Sequence, residues 1–141
     1  IAWWIGERDS REMADGKRQM ADGEEGLLNL GHKKLEVWNL SVDFVKGLYE
    51  ITVTFPKSET YGLANQLRRA AVSVPSNIAE GAARSSAADR KRFYQIARSS
   101  LVEIDTQLEI AIRLNYIGEE QATELAKRIN HIFEKLSKLI H

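Results

Sequence analysis

The chain has 141 residues, 43% hydrophobic and 28% charged, with 20 basic and 20 acidic side chains. That length fits one domain, and that composition can bury a core, so disorder of the whole chain is excluded. Cysteine is absent, which excludes a disulfide framework and a thiolate metal site and leaves packing to carry the fold.

The zero net charge hides an asymmetry. Residues 1–31 carry four basic and seven acidic side chains, and residues 32–141 carry sixteen and thirteen. No run of about 18 apolar residues is present, and the N-terminus lacks the basic, apolar and small-residue order of a signal peptide. The expectation is a cytoplasmic protein that is neither exported nor membrane-spanning.

Residues 1–31 read as a flexible or weakly helical leader. Arg11-Glu12-Met13-Ala14-Asp15-Gly16 returns as Arg18-Gln19-Met20-Ala21-Asp22-Gly23. Each copy has one large apolar residue and a helix-weakening Gly, so no coiled-coil seam forms. Trp3 and Trp4 read as an adventitious apolar tail, and Ile1 in place of Met is expected of a fragment or a translated upstream stretch.

From His32 to residue 141 the periodicity is helical. Leu35, Trp38, Val42, Val45, Tyr49 and Thr52 step by three and four, which predicts a first helix over about 33–54 with that stripe inward. Ile51-Thr-Val-Thr-Phe55 reads as its frayed end, Pro56 stops it, and Ser58 is a candidate N-cap for the next helix. The second helix carries Leu63, Leu67, Ala71, Val74 and Ile78 inward. Pro75 is expected to kink or restart it near Ser73–Ser76, and small residues around it leave room for a neighbouring helix. Ser86 and Asp89 resemble a capping box that opens a third helix, with Phe93, Ala97, Leu101, Ile104, Leu108, Ala111 and Leu114 inward and Gly118 as its C-cap. The fourth runs from about 119 to 140 on Ala122, Leu125, Ile129, Ile132, Leu136 and Leu139. Four such helices with short connections predict an all-α, antiparallel up-down-up-down four-helix bundle.

Catalytic chemistry finds no foothold in the pattern. His131 stands among Lys127, Arg128 and Lys135 without the Glu-x-x-His motif of a bundle metal site. Glu103, Asp105 and Glu109 read as surface charges or hydrogen-bond partners, and no phosphate loop or nucleophile elbow is present. The expectation is a protein with no enzymatic activity, no metal and no cofactor.

Two features point instead to binding. On helix two, Gln66, Arg69, Ser73, Asn77 and Glu80 form a polar stripe beside the apolar one, with Arg69 a candidate ion-pair partner for Glu103 or Glu80. Between Gln66 and Ser100 lie Arg68, Arg69, Arg84, Arg90, Lys91, Arg92 and Arg98 against only Glu80 and Asp89. Arg84 and the Arg90-Lys91-Arg92 run flank the helix 2–3 loop, so they are expected at one end of the bundle. There they can neutralise phosphates, with Tyr94 available for stacking.

The run Phe55-Pro-Lys-Ser-Glu-Thr-Tyr-Gly-Leu63, then Gln66-Leu-Arg-Arg-Ala-Ala-Val-Ser-Val-Pro-Ser-Asn-Ile-Ala-Glu-Gly81, resembles the four-helix bundle proteins of 23S rRNA intervening sequences. The likeness continues through Arg84, Phe93, Ile96-Ala-Arg-Ser-Ser-Leu101, Glu103, Gln107-Leu108 and Asn115-Tyr116-Ile117, and covers residues 32–141. The chain is also similar to the accessory variability proteins of diversity-generating retroelements. These resemblances imply a homopentamer without established enzymatic activity, with ribosomal RNA, DNA or a reverse transcriptase as partner. On the retroelement likeness the contacting residues are Arg68, Arg84, Arg90, Lys91 and Arg92; Arg98 extends the basic set, and Gln66, Arg69, Ser73, Asn77, Glu80 and Glu103 form a structural or interface stripe. Pro75 then serves to shape helix two for a subunit interface.

Overall fold

The structure, a computed structural model, describes residues 30–141. The expected leader, with its repeat and Trp3 and Trp4, lies outside the described residues apart from Leu30 and Gly31. Among the described residues the chain is all-α, with four helices and no strand: α1 (Glu36–Thr52), α2 (Leu63–Ala82), α3 (Ala87–Arg113) and α4 (Glu119–Ile140). Short 3-10 turns at Gly31–Lys34 and Lys57–Glu59 precede α1 and α2.

All four helices contribute to one core. It joins Phe44 and Leu48 of α1, Leu67, Val74 and Ile78 of α2, Leu101 and Ile104 of α3, and Ile132 and Leu136 of α4. The inward face of α1 is rotated by one position from the expected stripe as far as Leu48, while Thr52 is buried as expected. Val37, Ser41, Phe44, Leu48 and Thr52 are buried, whereas Leu35, Trp38 and Val45 are only partly buried against the core and Tyr49 is 39% exposed. Apolar residues cover more than one stripe of this helix, so spacing alone fits either, and packing selects the one with Phe44. The buried hydroxyls on that face satisfy themselves within the helix: Ser41 Oγ donates to the Val37 carbonyl at 2.7 Å and Thr52 Oγ1 to the Leu48 carbonyl at 2.9 Å.

Helix ends also depart from expectation. Ser58 is not the N-cap of α2. Gly62 takes that position, and Glu59 Oε1 accepts from the Leu63 amide at 3.1 Å. α2 does not restart at Pro75 but runs through it to Ala82. Pro75 lacks one amide donor, yet its ring is buried, so packing holds the helix across the defect.

The C-cap of α3 is Leu114, followed by Asn115 at φ 63°, not Gly118. The Tyr116 amide reaches the Ala111 carbonyl at 2.9 Å, a closure that needs the left-handed residue between them. Gly118 instead opens α4, its amide donating to Gln121 Oε1 at 3.3 Å. Leu114 is consequently 49% exposed, and at the end of α4 Ile140 is buried where Leu139 is 38% exposed.

The α1–α2 and α3–α4 connections meet. Phe55 is buried with its ring centroid 5.3 Å from that of Tyr116, and Tyr116 Oη donates to Glu59 Oε2 at 3.0 Å.

Candidate nucleic-acid interface

The α2–α3 turn is built around Gly81. A Cβ there would lie 2.8 Å from Tyr94 Cε1 and 3.1 Å from the Arg90 carbonyl oxygen, so only glycine lets α3 close on the end of α2. Ser86 Oγ then accepts from the Asp89 amide at 3.1 Å and starts α3. Arg90 Nη1 donates to the carbonyls of Arg84 and Ser85 at 3.2 and 3.0 Å, tying the first turn of α3 to the backbone of the connection.

This turn gathers Arg84, Arg90, Lys91 and Arg92. The guanidinium carbons of Arg84 and Arg92 lie 4.7 and 4.9 Å from the centroid of the Phe93 ring, within cation–π range. Arg84 Nη2 contacts Glu80 Oε2 at 3.0 Å and Arg92 Nε contacts Asp89 Oδ1 at 4.0 Å. The Arg92 pair is exposed at both ends and the Arg84 pair mainly at its arginine. Such pairs contribute about 0–1 kcal/mol, so a phosphate can displace the carboxylates. Lys91 is exposed with no partner among the described residues.

Three expected members stand elsewhere. Arg68 lies about 21 Å along α2 from its last residue, Ala82, at the helical rise. Its Nε donates to Thr52 Oγ1 at 2.8 Å and its guanidinium carbon sits 4.8 Å from the Tyr49 ring centroid, so it fastens α1 to α2. Arg98 fastens α3 to α4, with Nη1 3.2 Å from Ser137 Oγ and the Phe133 ring centroid 5.6 Å from its guanidinium carbon. Tyr94 is 6% exposed, and burial pushes its phenol pKa up, partly offset by the Arg90 charge. It packs on Gly81 and is not free to stack. Phe93, read from spacing as a core residue, is the aromatic beside the basic groups; its place directly after Arg92 was the available signal.

The polar stripe of α2 is partly drawn into the α2–α3 contact. Ser73 Oγ and Ser100 Oγ are 2.6 Å apart, and Asn77 Nδ2 donates to the Ser73 carbonyl at 2.7 Å. Gln66 and Arg69 are exposed. Arg69 pairs with neither expected carboxylate: Glu80 holds Arg84, and Glu103 Oε1 accepts from Gln107 Nε2 at 3.2 Å. Gln107 itself is 7% exposed, and its Oε1 has no partner.

The model of the 23S rRNA-intervening sequence protein family matches residues 33–138. The chain belongs to this family. It is also similar to the crystal structure, at 1.70 Å, of a protein of unknown function from the S23 ribosomal protein family of Bacteroides thetaiotaomicron VPI-5482. The two share 27% identity over 74% of this chain and 97% of that one, with a TM-score of 0.66. No match was found among curated proteins. Family membership therefore supports the four-helix fold without assigning it a reaction.

His131 is exposed at the rim of an open groove of about 470 Å³ between α1 and α4, beside Asp43, Gly47 and Arg128. No group of three or more potential metal ligands occurs among the described residues. No helix among them is long and apolar enough to cross a membrane.

Proposed function

We propose that this protein is a cytoplasmic, non-enzymatic homopentamer of antiparallel up-down-up-down bundles that contacts RNA or DNA through the α2–α3 turn. The observation that carries the reading is the pair Arg84 and Arg92 over the Phe93 ring, with Lys91 exposed on the same turn and Arg90 holding that turn. Contacts near the start of α1 and the end of α4, such as Glu36 with Lys135 at 2.9 Å, support the antiparallel order. Self-assembly finds support on α3, where Ile96, Ser100, Glu103, Gln107, Ile110 and Leu114 follow one strip at steps of four and three. Ile96 and Ile110 are 41% and 44% exposed there, beside the unpartnered Gln107 Oε1. A buried acceptor without a partner costs about 1–3 kcal/mol, which a donor from a second copy removes.

The test is binding of the full chain to ribosomal RNA and DNA fragments across a salt series. Each phosphate neutralised contributes about 0.7–0.9 to the slope of log affinity against log salt. Changing Lys91 and Arg92 to Ala, which leaves Arg90 on its backbone carbonyls, is expected to lower that slope by about 1.4–1.8 for each turn engaged. Absence of binding at low salt by the pentamer sinks the reading.

A second reading, a protein-interaction adaptor such as a reverse-transcriptase accessory subunit, is favoured by Val53 and Tyr61, 74% and 91% exposed near the α1–α2 connection. Recovery of one stoichiometric protein partner without nucleic acid selects it.

A further inference from the structure

We infer that the α2–α3 turn takes an unpaired nucleotide strand and discriminates against duplex; this rests on the nucleic-acid reading above and specifies its substrate class.

The charge count comes first. Four cations at the turn face two carboxylates, Glu80 and Asp89, and the whole chain is neutral. Duplex binding without base readout draws its affinity from many neutralised phosphates, and this turn offers few. At a single turn, an interaction other than charge therefore carries more of the binding.

Phe93 supplies the means. Its ring holds the Arg84 and Arg92 guanidinium groups at 4.7 and 4.9 Å, and Arg84 is further held by Glu80. A guanidinium laid on a ring is a planar group already ordered before binding, so less side-chain freedom is lost when a ligand arrives. Its edge can donate to a phosphate, while its plane can stack on a base. Bases in a duplex are stacked on each other and present only edges to the grooves. An unpaired base can reach the guanidinium plane; a paired one cannot.

The turn is also poorly shaped for groove insertion. The first turns of α3 are closed against α2 by Tyr94 on Gly81, and Arg90 is spent on the carbonyls of Arg84 and Ser85. The free groups are therefore Lys91 and the two ring-bound arginines, a compact set that suits a short length of strand.

The experiment uses the full chain with an unstructured RNA strand, a DNA strand of the same sequence, and each strand annealed to its complement. Both single strands are expected to bind at least tenfold more tightly than their duplexes. The double variant Arg84→Lys and Arg92→Lys keeps both charges and removes both planar groups. It is expected to weaken single-strand binding about tenfold, the effect of losing base stacking, with the salt slope preserved. Phe93→Leu is expected to weaken it in the same direction, with circular dichroism confirming that both variants fold. Duplex binding as tight as single-strand binding, or Lys variants that bind as the parent does, overturns the inference and leaves the nucleic-acid reading standing. No binding to any probe at low salt overturns both. A preference for one of the two single strands assigns the strand to RNA or to DNA and supports the inference.

Discussion

At Gly81 an added methyl group would stand 2.8 Å from the Tyr94 ring and 3.1 Å from backbone oxygen, and neither neighbour can step aside without opening the turn. Alanine gains about 1 kcal/mol of helix propensity over glycine, but overpacking of this kind costs about 1–3 kcal/mol. Gly81→Ala is therefore expected to lower the melting temperature. Gly47 reverses the sign. Its nearest neighbour is Arg128 Nη1 at 3.0 Å, the far end of a flexible side chain. Gly47→Ala is expected to raise stability by up to about 1 kcal/mol in urea unfolding.

His32 packs edge-on against Trp38, with ring centroids 5.0 Å apart. Burial, then the Lys33 charge, holds its pKa below the ordinary 6.5. The fold thus favours neutral imidazole: its contribution is complete above pH 6.5 and declines as pH falls towards the lowered folded-state value. Glu36, held below its ordinary 4.5 by the hydrogen bond and charge of Lys135, adds a loss in more acid solution, as pH falls through its lowered value. Melting temperatures across an acid series should show the first loss disappear in His32→Gln and the second in Glu36→Gln.

Each helix depends on side chains at its ends and seams more than on its own propensity. Loss of the Ser86 cap in Ser86→Ala is expected to cost about 1 kcal/mol and to loosen the turn that presents Arg84 and Arg92. Arg68→Ala and Arg98→Ala remove ties between helices, a hydrogen bond and a ring contact each. They are expected to lower stability by about 1 kcal/mol while RNA affinity changes less than twofold, the reverse of Lys91→Ala. Pro75 is a different case. Proline inside a helix costs about 3 kcal/mol, and truncating its buried ring to Ala loses about 1.6 kcal/mol of methylene burial. Pro75→Ala is thus expected to stabilise the isolated bundle by about 1 kcal/mol, and light scattering on the same variant and its parent tests whether the proposed assembly depends on the proline.

For the molecule as a whole, the proposed self-assembly would multiply a weak site. A turn with an excess of two positive charges per chain would bind a strand feebly alone, and in the proposed pentamer five copies on one strand would gain by effective concentration. Placing Glu at Ile96 and Ile110 puts charge on the α3 strip without touching the core. It is expected to reduce the mass in light scattering to that of smaller species and to weaken RNA binding at least tenfold through lost avidity. A mass unchanged by these substitutions moves the interface elsewhere.

The sequence by itself determined the number and order of the described helices, because the three- and four-residue steps of Leu67, Val74 and Ile78, of Leu101, Ile104 and Leu108, and of Leu125, Ile129 and Ile132 are local properties of the chain. It also located the Ser86 cap and the basic turn. Tertiary structure alone decided which stripe of α1 turns inward, since apolar residues cover both, and which cations stand together. Arg68 and Arg98 are near Arg84 and Arg92 in composition but are drawn to neighbouring helices by Thr52, Tyr49, Ser137 and Phe133, partners far away in sequence. Likewise the exchange of roles between Tyr94 and Phe93 follows from the close approach at Gly81, a contact between two helices that no periodicity within one of them can specify.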